Sequence, residues 1–465
     1  MGTLNMVAQS VNGTLIGADR SFDSISTDTR SLQSGRLFFA LRGEHFNAGE
    51  FVAEAGRRGA AGAVVEARQA VDLPQVEVED TRVALAGLAG CWRKRFDVPV
   101  IAVTGSTGKT TVKEMIAAVL REHFGAADKT LATVGNLNNE IGLPLTLLRM
   151  RDSHAAAVVE MGAGRRNDIS CLAAIAVPTV GIVTNAGAAH LEGFGSEQAV
   201  AETKCELFAS LGADAVAVIN HDDRFFDLWC QLAEPARFRT FGLTETADYA
   251  AENIKEQVTQ EGFELSFDVR EANDRERIRL PMAGRHNVLN ALGAIAVTRA
   301  VGASWDSVRA GLAATEGVAG RLWTIRGPGG VRLIDDTYNA NPVSVAAAIA
   351  VLAGLGGRAW LVLGDMAELG EQSPELHAGI GRQAKEAGIE RLFTLGDEAR
   401  AAATAFGAGS RACTGREAIV ATLAEALGEA GDKDLTILVK GSRCMRMEEI
   451  VRALAGENVN EEGSA

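Results

Sequence analysis

Residues 104–111 carry the clearest chemical pattern of the chain. They read Thr-Gly-Ser-Thr-Gly-Lys-Thr-Thr, and they lie between an apolar run over residues 98–103 and a helical pattern over residues 111–120. Gly105 and Gly108 allow the backbone to turn back on itself, so that successive N–H groups and the helix N-terminus face one anion. The order of strand, glycine-rich loop and helix therefore predicts a phosphate-binding site.

Two side chains at the end of this loop supply chemistry that a nucleotide site needs. Lys109 adds a positive charge for the outer phosphates, and Thr110 offers a hydroxyl at the position that coordinates Mg²⁺ in P-loops. The strict pattern G-x-x-x-x-G-K-[ST] would place its first glycine where Val103 stands, so the loop is a variant. A glycine turn with an exposed lysine is the structural alternative.

Three further polar residues stand at or after predicted strands. Glu160 ends the apolar run 154–159, His190 lies in a glycine-rich loop after the next strand, and Lys204 lies on a predicted helix over residues 196–210. At the carboxyl end of a buried parallel strand, Glu160 would face the ligand side of the sheet, where a carboxylate can bind Mg²⁺. A glutamate that points to water, a structural histidine and a solvated lysine are the alternatives.

Polar loops elsewhere in the chain suit substrate contacts. The segment 133–144 is rich in Asn and Gly, and Asn side chains both donate and accept hydrogen bonds. The loops 335–342, 364–370 and 440–446 each follow a predicted strand end, where ligands bind in doubly wound folds. Ordinary connections between elements are the alternative.

The predicted elements divide the chain into three α/β domains. Residues 1–96 are predicted to form a small α/β domain, and residues 97–317 a central P-loop-type nucleotide-binding domain with a mainly parallel sheet. Small antiparallel strands are expected around Phe263–Val269, where apolar residues alternate with period two. Residues 318–465 alternate strands and helices, which predicts a Rossmann-like doubly wound domain.

Composition narrows the classes of function. A formal charge of −14 argues against a nucleic-acid partner, and no apolar run approaches the roughly 20 residues that span a bilayer. The six cysteines are scattered without C-x-x-C pairs, which is typical of reduced thiols in a cytoplasm. We therefore expect a cytoplasmic protein without a membrane span, and nothing in the sequence demands more than a monomer.

From about Ser26 to Met447 the chain resembles the Mur ligases, the ATP-dependent amide ligases of peptidoglycan precursor synthesis. General family motifs are the loop 104–111, Gly-Arg-His-Asn-Val-Leu-Asn-Ala at 284–291 and the pair Gly320-Arg321. Motifs that indicate the branch adding D-alanyl-D-alanine to UDP-N-acetylmuramoyl-tripeptide lie at residues 135–144, 335–342, 363–370 and 439–443.

The resemblance implies ligation through an acyl phosphate. ATP would phosphorylate the free carboxylate of the UDP-linked tripeptide, and the amine of D-alanyl-D-alanine would then displace phosphate. Such chemistry needs a phosphate cradle and charge stabilisation more than a covalent nucleophile. The implied cofactors are ATP, two Mg²⁺ ions and a lysine carbamate formed with CO₂.

The same resemblance assigns roles to individual residues. Nucleotide contacts are implied for Gly105, Ser106, Thr107, Gly108, Lys109, Thr110, Thr111, Asn287, Asn290, Arg321 and Asp336, with Asp335 as the alternative to Asp336. Metal ligands are implied at Thr110, Glu160, His190 and carbamylated Lys204, and the catalytic set is Lys109, Glu160, His190 and Lys204. Substrate contacts are expected at Ser26, Asp28 and Arg30 for UDP, and at Asn138, Asn139, Asn339 and Asn341.

The chain departs from the family pattern in a few places. Asn47 and Gly49 stand where Asp and His are usual, which leaves uridine or pyrophosphate contacts there open. Cys205 stands where Gly is usual, next to Lys204. Two other readings remain at this point: a different amide ligase of the superfamily, such as a folylpolyglutamate synthetase, or a nucleotide-regulated binding protein without turnover.

Overall fold

The computed structural model describes residues 1–43, 46–188, 191–258, 263–315, 317, 319–430 and 434–456. Within these ranges the strands form sheets of five, nine and six strands and a two-stranded ribbon, with helices between the strands. The predicted mixed α/β class is confirmed. The domain boundaries stay a prediction, and residues 316 and 318, beside the second boundary, lie outside the described ranges.

The first sheet belongs to the N-terminal part of the chain and has the strand order β2-β7-β6-β5-β4. All its pairs are parallel except β2 with β7. Asp80 caps α3, and Leu85, Leu88 and Trp92 bury one face of that helix at helical spacing. The elements are β1 (Gly2–Thr3), α1 (Leu4–Ser10), β2 (Thr14–Ile16), β3 (Ser21–Phe22), β4 (Ile25–Ser26), β5 (Leu37–Phe39), α2 (Val52–Arg57), β6 (Gly62–Val65), β7 (Gln75–Glu77) and α3 (Thr81–Arg93).

The central sheet has the order β16-β15-β14-β13-β12-β11-β8-β10-β9. Strand β8 is buried along its whole length, as expected for a parallel strand with helices on both faces. The elements are β8 (Val100–Thr104), α4 (Lys109–Phe124), β9 (Thr130–Ala132), α5 (Gly142–Leu147), β10 (Ala156–Glu160), α6 (Asp168–Ala176), β11 (Val180–Val183), α7 (Leu191–Phe194), α8 (Glu197–Ala209), β12 (Val216–Asn220), α9 (Phe226–Leu232), β13 (Arg237–Gly242), β14 (Tyr249–Val258), β15 (Phe263–Glu271), β16 (Asp274–Leu280), α10 (Arg285–Ala300) and α11 (Trp305–Ala313).

The antiparallel part of this sheet is larger than the sequence predicts. Strands β14, β15 and β16 pair antiparallel, as the alternation predicts, but they are long and extend the central sheet. The alternating residues Leu265, Phe267 and Val269 are fully buried in one cluster with Leu292 of α10. Burial against this long helix explains why the period-two pattern is so regular.

The C-terminal sheet has the order β17-β18-β22-β19-β20-β21 and is parallel except for β17 at one edge. The edge strands β17 and β21 are absent from the sequence prediction. The elements are β17 (Trp323–Arg326), β18 (Arg332–Asp336), α12 (Pro342–Gly354), β19 (Arg358–Gly364), α13 (Ser373–Glu386), β20 (Arg391–Leu395), α14 (Arg400–Phe406), β21 (Ser410–Cys413), α15 (Arg416–Ala430), β22 (Leu435–Lys440) and α16 (Glu448–Ala455).

The carboxyl ends of parallel strands in the central and C-terminal sheets face one cleft. Residues after β8, β10 and β11 line it from the central sheet, and residues at the ends of β18 and β22 line it from the C-terminal sheet. The cleft has a volume of about 1410 Å³. None of the helices in the described ranges combines the length and the hydrophobicity that a bilayer span requires.

Candidate active site

The phosphate loop has the backbone that its glycines predict. Gly105 has φ +144° and Gly108 has φ +77°, and helix α4 begins directly afterwards at Lys109. No side chain caps the N-terminus of α4, so its first N–H groups remain available for an anion. The Nζ of Lys109 donates to the Gly105 carbonyl at 2.7 Å, and burial lowers the pKa of this lysine.

Asn185, which follows β11, clamps the phosphate loop. Its Oδ1 accepts from the backbone N–H of Thr107 at 3.0 Å and from the Thr107 hydroxyl at 3.1 Å. Its Nδ2 donates to the Thr107 carbonyl at 3.3 Å, and its own carbonyl accepts from Ser106 N–H at 3.0 Å. The loop is therefore preorganised by a segment distant in sequence.

Glu160 ends β10 inside the site and not in water. Its side chain is almost fully buried, with the residue 2% exposed. One carboxylate oxygen accepts from the Thr110 hydroxyl at 2.9 Å, and the other accepts from Asn138 Nδ2 at 2.8 Å. A buried carboxylate beside a hydroxyl at the helix N-terminus is an oxygen donor set that fits Mg²⁺.

The other wall of the cleft comes from residues after the central sheet. The guanidinium of Arg321 donates to the Thr110 hydroxyl at 3.1 Å and lies 4.2 Å from the ring centre of Tyr338. Asp336 pairs with Lys440, whose Nζ lies 2.6 Å from the carboxylate. Burial raises the pKa of Asp336, although the charge of Lys440 opposes that shift.

Most of the residues that the sequence singles out meet in this one cleft. The lining includes Ser106, Thr107, Gly108, Lys109, Thr110, Thr111, Asn138, Asn139, Glu160, Asn287, Asn290, Arg321, Asp336, Asn339 and Asn341. Gly105 lies directly beneath, since its carbonyl accepts from Lys109. Two polar walls, one with the phosphate loop and one with Arg321 and the buried Asp336–Lys440 pair, suit a nucleotide and a second polar substrate.

Comparison with known proteins gives the family. Residues 103–298 match the Mur ligase middle domain, and residues 320–443 match the Mur ligase glutamate ligase domain. The chain is 42% identical to the UDP-N-acetylmuramoyl-tripeptide–D-alanyl-D-alanine ligase of Escherichia coli, over 97% of this chain and 98% of that protein. The chain belongs to the Mur ligase family.

Solved structures of Mur ligases agree with the fold. The structure of MurF from Acinetobacter baumannii superposes with a TM-score of 0.91 at 33% identity, covering 98% of this chain and 99% of that one. The MurF ligase of Thermotoga maritima, solved in complex with ADP, superposes with a TM-score of 0.82 at 28% identity, covering 93% and 97% of the two chains.

The Mur ligase motif on α10 lies against the phosphate loop. Asn287 Nδ2 donates to the Ala283 carbonyl at 2.8 Å, and Asn290 Nδ2 donates to Asn287 Oδ1 at 3.0 Å. A Cβ on Gly108 would lie 2.5 Å from Asn290 Oδ1, so the glycine is required for this close approach. Burial, together with the nearby charge of Lys440, lowers the pKa of His286 to about 4.

Lys204 lies on α8 and is buried, with 1% of the residue exposed. Its Nζ lies 3.5 Å from the Ala163 carbonyl, and Ala163 itself lines the cleft. Burial lowers the pKa of Lys204 to about 7, and the positive charge of Lys109 adds to that shift. The amine is therefore partly unprotonated near neutral pH, unlike the solvated lysine of the alternative interpretation.

Other predicted positions lie elsewhere. Ser26, Asp28 and Arg30 are described, and these three do not line the cleft. Arg30 pairs with Asp28 at 2.8 Å and thereby lowers the pKa of Asp28. His190 lies outside the described residues, so its predicted metal role stays a prediction.

The structure decides between two candidates at the end of β18 and adds two residues to which the sequence analysis gave no role. Asp335 and Asp336 were open alternatives, and Asp336 lines the cleft while Asp335 accepts from the Thr337 hydroxyl. Successive strand residues point to opposite faces, so the end of β18 allows only one of them inside. The two added residues are Asn185 and Lys440, whose partners Thr107 and Asp336 come from other parts of the chain.

Proposed function

We propose that this protein ligates D-alanyl-D-alanine to UDP-N-acetylmuramoyl-tripeptide at the expense of ATP, in peptidoglycan precursor synthesis. The products are UDP-N-acetylmuramoyl-pentapeptide, ADP and phosphate. The observation that carries the proposal is the buried Thr110–Glu160 pair at the phosphate loop, which Arg321 contacts from the other wall of the cleft. The 42% identity to the Escherichia coli ligase supports this substrate pair.

The reaction proceeds in two displacements. A carboxylate oxygen of the tripeptide attacks the γ-phosphorus of ATP, and ADP leaves. The amine nitrogen of D-alanyl-D-alanine then attacks the acyl carbon, loses a proton, and phosphate leaves with the oxygen that had attacked. Both steps develop negative charge on phosphate or carboxyl oxygens, which fixed cationic and N–H donors stabilise.

The phosphate loop is proposed to hold ATP. The N–H groups of residues 105–111 and the Lys109 ammonium take the β- and γ-phosphates, and Arg321 reaches the nucleotide from the other wall. Asn287 and Asn290 contact the adenine side, and Asp336 contacts the ribose side. The ADP complex of the Thermotoga maritima relative supports nucleotide use by this fold.

Mg²⁺ is proposed to bind at Thr110 and Glu160. The two oxygen groups already lie 2.9 Å apart and are buried, which is the donor chemistry that the ion needs. When bound there, the ion would supply positive charge that stabilises negative phosphate oxygens. Asn138 holds the second oxygen of Glu160 and so fixes the orientation of the carboxylate.

A second Mg²⁺ is proposed at His190 and a carbamate of Lys204. A carbamate forms when a neutral amine adds to CO₂ and loses a proton, so it requires an amine with a lowered pKa. Lys204 meets this requirement, because burial lowers its pKa to about 7. The carbamate would convert a buried cation into an anion beside a divalent metal ion.

The substrates are proposed to bind from two directions. UDP contacts Ser26, Asp28 and Arg30 in the N-terminal domain, which we place at residues 1–96. We place the central domain at residues 97–317 and the C-terminal domain at residues 318–465. The tripeptide and D-alanyl-D-alanine meet Asn138, Asn139, Asn339 and Asn341, whose amides both donate and accept. We further propose a monomer in the cytoplasm, where the six free cysteines would stay reduced.

Phosphate release tests the proposal. Purified protein with ATP, Mg²⁺ and UDP-N-acetylmuramoyl-tripeptide is expected to release phosphate only after D-alanyl-D-alanine is added. Release with a single amino acid or with a folate, and none with D-alanyl-D-alanine, would indicate a different amide ligase. Binding of ATP without release under any of these conditions would indicate a nucleotide-regulated binding protein.

A further inference from the structure

A buried lysine on the phosphate-loop helix has no part in the chemistry above. Lys113 lies on α4, one turn after Thr110, and is 1% exposed. Its Nζ donates to the Thr133 carbonyl at 2.6 Å and lies 2.7 Å from the carboxylate of Glu114. Burying an ammonium group is costly, and a methionine would fill a similar volume at no such cost, so the charge needs a reason.

The partner of Lys113 leads directly to the metal-binding carboxylate. Thr133 is buried, and its hydroxyl accepts from the backbone N–H of Glu160 at 3.0 Å. Its own N–H donates to the Val158 carbonyl at 3.0 Å. Thr133 therefore fixes the last residues of β10, and Lys113 fixes Thr133.

The asparagine-rich segment that starts at Thr133 also contacts the Glu160 carboxylate. Asn138 Nδ2 donates to Glu160 at 2.8 Å, and the Asn138 carbonyl accepts from Gly162 N–H at 2.8 Å. Helix α4 contacts Glu160 through Thr110, and it contacts this segment through Lys113. Helix, segment and strand end thus form a closed ring of hydrogen bonds.

We propose that Lys113 is a positioning residue for the metal–nucleotide site. It ties the start of the asparagine-rich segment to α4, so that the Glu160 carboxylate and the Thr110 hydroxyl keep the spacing that a divalent ion requires. The inference rests on the proposed function, because it assumes that a metal ion binds at Thr110 and Glu160. Residues that orient metal ligands through hydrogen bonds typically affect metal affinity about 10- to 100-fold.

The variant Lys113→Met tests this role by a binding measurement on the full chain. Calorimetry measures the affinity for ADP with Mn²⁺ and with EDTA, and the ratio of the two affinities gives the metal-dependent gain. In Lys113→Met we expect this gain to fall about 10- to 100-fold. Affinity for ADP in EDTA is expected to stay at the wild-type value, since Lys113 does not contact the phosphate loop.

Arg93→Met is the matched control for losing a buried cation. Arg93 is also buried and also serves backbone carbonyls, at 3.0 Å to Ala176 and 2.6 Å to Phe96. It lies on α3, away from the phosphate loop. Arg93→Met is expected to lower the thermal unfolding midpoint while keeping the full metal-dependent gain.

If Lys113→Met does not fold, two variants of Thr133 test whether this hydrogen-bond network positions Glu160. Thr133→Val removes the acceptor of the Glu160 N–H and is expected to lose the gain, whereas Thr133→Ser keeps that acceptor and is expected to retain it. A wild-type gain in a folded Lys113→Met or in Thr133→Val would overturn the positioning role. A wild-type protein without any metal-dependent gain would instead overturn the proposed nucleotide site itself.

Discussion

Thr110 joins three parts of the molecule through one hydroxyl group. It donates to Glu160 at the end of β10 and accepts from Arg321, which follows the central sheet. Because Arg321 comes from the other wall of the cleft, the proposed nucleotide site includes the junction between the two sheets.

The residue scale carries a prediction for Lys109. Lys109→Ala removes the charge that we propose faces the outer phosphates, and loss of one such stabilising donor typically lowers turnover by about 100-fold or more. Phosphate release under saturating substrates measures the effect. Lys94→Ala, at an exposed position on the surface, is the control and should be unaffected. Near-normal turnover of Lys109→Ala would contradict the proposed role of Lys109 in binding the phosphates.

Lys204 gives a second prediction, with a defined dependence on pH. Because its pKa is lowered to about 7, the neutral amine is lost as the pH falls below 7, and the carbamate with it. Activity at limiting bicarbonate should therefore decline on the acid side of pH 7 and recover when bicarbonate is added. Lys204→Ala should be inactive and be partly rescued by acetate or formate, whereas wild-type activity in this variant would rule the carbamate out.

At the scale of elements, the sequence predicts structures that depend on neighbouring residues, and it does not predict contacts between distant parts of the chain. The order of strand, glycine loop and helix at 98–120 is correct because glycine conformations and apolar runs act locally. The clamp from Asn185 could not be predicted, because it joins residues 78 positions apart. For the same reason, the sequence does not predict the hydrogen bonds from Lys113 to Thr133 and from Lys440 to Asp336. Both depend on which strands become neighbours.

Gly105→Ala tests the fit between these elements. A Cβ at this position would lie 2.0 Å from the Thr184 hydroxyl oxygen, and the φ of +144° is strained for any side chain. We expect the free energy of unfolding, measured by thermal denaturation, to drop by about 1–3 kcal/mol. ADP binding, measured by calorimetry, should weaken. Gly87→Ala, in α3 with open space around it, should instead be neutral or slightly stabilising.

At the scale of the whole molecule, loop contacts and a shared hydrophobic cluster join the C-terminal part to the central one, and that cluster contains Phe263 of β15 and Val351 of α12. Glu192 N–H donates to the Glu368 carbonyl at 3.2 Å, and Leu376 of α13 packs against a cluster that contains Phe194. The sequence predicts the classes of fold on each side of the cleft. It does not predict how they meet, because these contacts join residues that lie far apart in the chain.

A site divided between two sheets is expected to close when its substrates bind. Small-angle scattering should show a smaller radius of gyration after addition of a non-hydrolysable ATP analogue, Mg²⁺ and UDP-N-acetylmuramoyl-tripeptide. Arg321→Lys is a useful comparison, because lysine lacks the guanidinium group that lies over the Tyr338 ring, and the substitution should weaken closure. Identical scattering profiles with and without ligands would argue against closure.

Oxygen transfer from the tripeptide to phosphate tests the central claim most directly. UDP-N-acetylmuramoyl-tripeptide carrying ¹⁸O in the reacting carboxylate is incubated with ATP, Mg²⁺ and D-alanyl-D-alanine, and the released phosphate is analysed by mass spectrometry. Ligation through an acyl phosphate predicts one ¹⁸O atom in each phosphate, because the attacking oxygen leaves with phosphorus. Unlabelled phosphate, released at the same rate as the pentapeptide forms, would contradict the account.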